Sequence, residues 1–178
     1  MEVPMKNQEK TVRMLQAGAV VLLAGLCVLL ADSHRERLVS VGDSAPRFQV
    51  TTDKGTKIAR SEFGGKILIV NFWATWCPPC VDEMPSLQAM AQQLGSKGVV
   101  VLGVSVDRNE ATYKRFVQQA RIQFETARDP EANISADFGT FKYPETYVIS
   151  RDGKVLQKHI GPRDWMDPEI LKSIESLL

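Results

Sequence analysis

Cys77 and Cys80 stand two residues apart in the run WATWCPPC, residues 73–80, and Cys27 is the only other cysteine in the chain of 178 residues. Two thiols at this spacing can cycle between dithiol and disulfide, supply half of a zinc site, or carry a haem. A structural zinc site needs four ligands; there is no second CxxC, and the only histidines are His34 and His159. Covalent haem attachment needs His directly after the second cysteine, where Val81 stands. A disulfide closing so short a loop restrains the unfolded chain little, so the pair suits chemistry better than stapling. Thiol–disulfide exchange needs a thiolate as nucleophile and a second thiol to resolve the mixed disulfide.

The neighbouring elements are suited to position such a pair. KILIVNFWA, residues 66–74, is a continuous apolar run, as expected for a strand buried on both faces. From Pro79, Val81, Met84, Leu87, Met90 and Leu94 recur at helical spacing, Gly95 is a stop, and Pro85 is expected to kink the helix. Cys77 is thereby placed at a helix N-terminus, where backbone dipoles favour thiolate over thiol. Pro78 and Pro79 have no N–H, so two potential donors to the Cys77 sulfur are missing. A less stabilised thiolate predicts a reducing pair.

The remaining pattern alternates. A hairpin is expected with strands 48–51 and 56–59 around Asp53-Lys54-Gly55, then a buried strand over 99–106. A helix capped by Asn109 follows, with a short strand near 124–126 and a short helix near 132–138. Strands 147–150 and 155–159 join through Asp152-Gly153, and Asp167-Pro168 opens a last helix. This is the order of one α/β domain without internal repeats.

NFWATWCPPC, with Pro85 five residues after the second cysteine, resembles the thioredoxin superfamily, and the likeness runs from about Val41 to the C-terminus. VGDSAPRFQV and GGKILIVNFWATWCPPCVDEMP resemble its TlpA/ResA-like branch of membrane-anchored thiol-disulfide oxidoreductases, and YPET at 143–146 is similar to the cytochrome c maturation members. The resemblance implies an α/β thioredoxin-like fold: a central mixed sheet flanked by helices, with an N-terminal β-hairpin and a central βα insertion. It implies that Cys77 attacks, Cys80 resolves, and no cofactor or metal takes part. Asn71 occupies the position of the buried Asp of thioredoxins, whereas Glu83 matches an acid of the TlpA/ResA-like proteins. Three residues after Cys80, Glu83 shares its helix face, and an apolar setting would raise its pKa and suit it to exchange a proton with Cys80. The alternative is an ordinary acid of the first turn, as Asp82 is read. Tyr143-Pro144 matches the family's cis-proline, although a trans loop fits the residues equally. Trp76, Tyr143 and Pro144 are the implied substrate-binding residues. Pro78, Pro79 and Glu145 are the pKa-tuning ones, with a solvated Glu145 as the alternative. Trp73 is read as core, and Trp165 is assigned no role.

Residues 14–31, MLQAGAVVLLAGLCVLLA, carry no charge and as a helix would reach about 27 Å, close to a hydrocarbon core. A cleaved signal peptide wants small residues at −3 and −1, and Leu29 stands at −3 before a cut after Ala31. Leu26 likewise disfavours lipidation of Cys27. The expected layout is a cytoplasmic N-terminus (1–13), a transmembrane signal-anchor (14–31), a linker (32–40) and a thioredoxin-like domain (41–178). That layout predicts a single pass through the bacterial inner membrane, with the catalytic domain in the periplasm or otherwise outside it. Beyond residue 31, acidic and basic residues balance, which argues against nucleic acid as a partner. The expected partners are exported proteins carrying disulfides, such as apocytochrome c, and a membrane electron donor of the DsbD/CcdA type. Two alternatives share the fold. A peroxiredoxin-like peroxidase would want a Thr-x-x-Cys setting that TWC lacks, and a copper-delivery protein would use His159 as its histidine ligand.

Overall fold

The computed structural model describes residues 5–33 and 38–178, in two compact units, Met1–Glu36 and Arg37–Leu178. The first unit is helix α1 (Met5–Ser33). Among the described residues, no helix is long and apolar enough to cross a membrane. The expected single pass through the inner membrane is corrected accordingly. Residues 34–37, four of the nine in the expected linker, lie outside the described residues, as do residues 1–4 of the expected cytoplasmic N-terminus.

The second unit opens with the hairpin β1 (Gln49–Thr51) and β2 (Lys57–Ala59), paired with Gln49 opposite Ala59. Then follow β3 (Ile67–Trp73), α2 (Pro78–Gly95), β4 (Val99–Ser105), α3 (Glu110–Gln119), β5 (Glu125–Arg128) and α4 (Asn133–Asp137). β6 (Glu145–Ser150), β7 (Val155–Ile160) and α5 (Pro168–Glu175) complete the chain. The five-stranded sheet has the order β5-β4-β3-β6-β7, with β3, β4 and β5 parallel and β6 and β7 antiparallel. This is the mixed α/β architecture expected from the sequence. The Asn109 side chain accepts from Thr112 N–H at 2.9 Å, and Asp167 caps α5 through Glu169 and Ile170.

All seven residues of β3 are buried, which accounts for its unbroken apolar run. Alternate side chains serve two layers. Ile67, Ile69 and Trp73 pack with Met84, Leu87, Met90 and Leu94 of α2, Tyr113 of α3 and Ile174 of α5. Leu68, Val70 and Phe72 pack on the other side with Ile58, Phe63, Phe138 and Tyr147. Asn71 has the parity of Ile69 and Trp73, so its amide points into the layer that holds α2.

Candidate active site

The nucleophile's position follows from how β3 ends. Trp73 C=O accepts from Val106 N–H at 3.0 Å, the last tie to the neighbouring strand, and Cys77 N–H then bonds Ala74 C=O at 3.2 Å. Cys77 is the N-cap of α2, with Pro78 and Pro79 as its opening residues. The first two N–H groups beyond the prolines, from Cys80 (3.0 Å) and Val81 (3.1 Å), both go to Cys77 C=O. Cys77 and Cys80 are joined as a disulfide with Cα atoms 5.3 Å apart. Cys77 keeps 6% of its surface in solvent and Cys80 none. An incoming thiol therefore meets Cys77 first.

Three residues after Cys80 on α2, Glu83 is only 3% exposed. Its Oε1 accepts from Asn71 Nδ2 at 2.8 Å, and its Oε2 accepts from Arg163 N–H at 3.0 Å and Trp165 Nε1 at 3.2 Å. Asn71 Nδ2 also donates to Thr146 Oγ1 at 2.9 Å. Burial pushes the Glu83 carboxyl above its ordinary range, while these donors and the Arg163 charge pull partly back. Charging this acid is costly, which is the condition for trading a proton with a neighbouring thiol.

A second carboxylate fixes the approach to Cys77. Asp107, just beyond β4, accepts from Thr75 N–H at 2.9 Å, Thr75 Oγ1 at 2.6 Å and Ser105 Oγ at 2.6 Å. Trp76 follows, 63% exposed, and its ring meets that of Tyr143 edge-on at 6.0 Å. The two rings border a cleft of about 550 Å³ that also takes in Arg108 and Glu131. The Tyr143–Pro144 peptide bond is cis.

The structure thus brings Cys77, Cys80 and Glu83 onto one end of α2, with Trp76 and Tyr143 at the rim. Glu145 does not join the Glu83 cluster. In the β3–β6 register it stands opposite Phe72, and Thr146 stands opposite Asn71. Glu145 consequently falls on the other face of the sheet, where Lys158 Nζ lies at 2.8 Å and Tyr147 O–H donates to it at 2.7 Å. Glu145, expected from the sequence as a pKa-tuning acid or a solvated one, is instead fully buried and paired with Lys158 on that face. Trp165, Arg163 and Asp107 were missed by sequence reasoning. The one available signal was that a buried indole N–H needs an acceptor.

The AhpC/TSA family matches residues 41–158. A thiol-disulfide oxidoreductase ResA of Bacillus cereus is 36% identical over 148 residues, covering 83% of each chain. A ResA of Geobacillus kaustophilus is 30% identical over 175 residues, covering 97% of this chain and 99% of its own. Among solved structures, one described as a thiol:disulfide interchange protein DsbE from Chlorobium tepidum superposes with a TM-score of 0.67 at 29% identity. That match covers 78% of this chain and 95% of the other.

Proposed function

The chain belongs to the AhpC/TSA family and is a thiol-disulfide oxidoreductase of the ResA type, and on that premise we propose that it runs as a reductase of other proteins' disulfides. The Cys77 thiolate attacks a client disulfide, a Cys77–client bond forms, and the first client sulfur leaves as thiolate. Glu83 takes the proton of Cys80. The Cys80 thiolate then attacks Cys77 Sγ, the second client thiolate departs, and two electrons have passed to the client. Trp76 and Tyr143-Pro144 border the path by which the client approaches. Oxidised apocytochrome c is a client of the required chemistry, and a dithiol donor of the DsbD/CcdA type would reload the pair.

The observation that carries the direction of transfer is the start of α2. Pro78 and Pro79 offer no N–H, and the N–H groups of Cys80 and Val81 go to the Cys77 carbonyl. A thiolate short of donors makes the dithiol the less favoured state and its potential low. Equilibration against dithiothreitol and glutathione couples should give a potential below about −200 mV, whereas a value near the roughly −120 mV of DsbA would overturn the proposal.

Peroxide turnover suits the site less well. Thr75 stands two residues before Cys77 rather than three, and its hydroxyl is bonded to Asp107. Copper delivery would need His159, whose Nε2 lies 3.1 Å from Gln157 Oε1 and whose ring packs edge-on against Trp165 at 5.4 Å.

A further inference from the structure

Three N–H donors reach Glu83, and they are shared unequally between its oxygens. Arg163 N–H and Trp165 Nε1 both go to Oε2, while Asn71 Nδ2 alone goes to Oε1. Each carboxylate oxygen offers two lone-pair positions. Oε2 has both taken and Oε1 has one. The Trp165 side chain is wholly buried, so its N–H gains nothing from bulk water in exchange. The residue is also tied to α2 by a second route: its backbone N–H donates to Ser86 Oγ at 3.1 Å, and Ser86 Oγ donates to Glu83 C=O at 2.9 Å. From β7, His159 packs against the indole.

We propose that Trp165 is a positioning residue for the proton step: with Arg163 N–H it saturates Oε2 and leaves Oε1 as the oxygen that takes the Cys80 proton. This rests on the reading of Glu83 as the partner of Cys80. In the step, the Cys80 S–H bond breaks and an Oε1–H bond forms. The electron pair stays on Cys80 Sγ, which attacks Cys77 Sγ of the mixed disulfide and releases the client thiolate. Saturating Oε2 gives the relay one defined site in place of two.

Asp82, Arg163 and Asp164 share with Glu83 a surface recess of about 450 Å³. His159 is held below its ordinary pKa by burial and by the Arg163 charge. Asn71 from β3 and Thr146 from β6 bring no charge. Removing the Trp165 donor withdraws stabilisation from the carboxylate alone, so the pH at which Glu83 becomes a base must rise.

The test uses the full chain in its reduced form, labelled with 15N-tryptophan and assigned through the backbone. The Trp165 indole N–H signal should move with pH at the midpoint of Glu83, and that movement should disappear in Glu83→Gln. In single-turnover reduction of oxidised glutathione, Trp165→Phe should shift the acid limb of the rate profile up by about one pH unit. A purely structural role would lower stability without moving that limb. If Glu83→Gln leaves the profile unchanged, the reading of Glu83 itself fails. If Glu83→Gln changes the profile while the Trp165 signal stays flat through that range, or the Trp165→Phe limb stays in place, the positioning role alone fails. Should Trp165→Phe not fold, the indole signal of the unsubstituted chain decides.

Discussion

Glu83 and Glu145 are both buried acids, and they differ in what compensates their charge. Glu145 has Lys158 Nζ at 2.8 Å, a full opposite charge. Glu83 has neutral N–H donors and the charge of Arg163, and burial wins, so its pKa is raised from the ordinary 4.5. The consequence for stability has a definite sign. Between 4.5 and the raised native value the folded chain binds more protons than the unfolded one, so stability falls as pH rises through that window. Glu83 thus weighs least on the fold below 4.5 and most once it is ionised. Glu83→Gln removes the titration while keeping an oxygen for at least one donor. Urea unfolding across the acid-to-neutral range should show the variant gaining on the wild type as pH rises, then holding its lead. A constant difference at every pH would mean that Glu83 does not titrate in the folded chain with a raised value.

The strand and helix that frame the cysteines were legible because their residues repeat at their own periods. The unbroken run of β3 marked a strand covered on both faces, and Met84, Leu87, Met90 and Leu94 marked the buried side of α2. What lay beyond sequence was pairing. Trp165 and Arg163 reach Glu83 across 82 and 80 positions, and Asp107 reaches Thr75 across 32. No local pattern encodes which loop arrives there. The face taken by Glu145 was hidden for a related reason: it depends on which residue of β6 stands opposite Phe72, a choice made by the register. The start of β3 holds a further constraint invisible in sequence. A Cβ on Gly65 would lie 2.7 Å from Gly98 O and 2.8 Å from Val100 Cγ2. That same carbonyl accepts from Lys66 N–H at 2.7 Å and Ile67 N–H at 3.2 Å, so backbone would have to yield. Gly65→Ala should therefore cost about 1–3 kcal/mol in denaturant unfolding. The clash sits at the end of β3 remote from Cys77, so the redox potential should stay as in the wild type. Unchanged stability would show that β3 and β4 can part there without loss.

The sheet gathers its chemistry at one end. The C-terminal ends of the parallel strands β3 and β4, the start of antiparallel β6 and the exit from β7 all meet there, bringing Asn71, Asp107, Thr146 and Arg163 to the same region as α2. The fold as a whole is consequently coupled to the state of one disulfide. In a closed cycle, the potential of the pair in the folded chain differs from that in the unfolded chain by the difference in stability between oxidised and reduced forms, ~1.4 kcal/mol for each ~30 mV. The short Cys77–Cys80 loop restrains the unfolded chain little, so this difference reports on the site. Two features of the site act against the reduced form once a thiolate appears: the helix start withholds N–H donors from Cys77, and Glu83, three residues after Cys80 on α2, is a buried acid. The oxidised chain should therefore unfold at the higher urea concentration at neutral pH, with the reduced chain kept in excess dithiothreitol. The reverse order would place this protein with the strong oxidants, whose reduced form is the stabilised one. It would also reverse the proposed direction of electron flow, independently of any direct measurement of the potential.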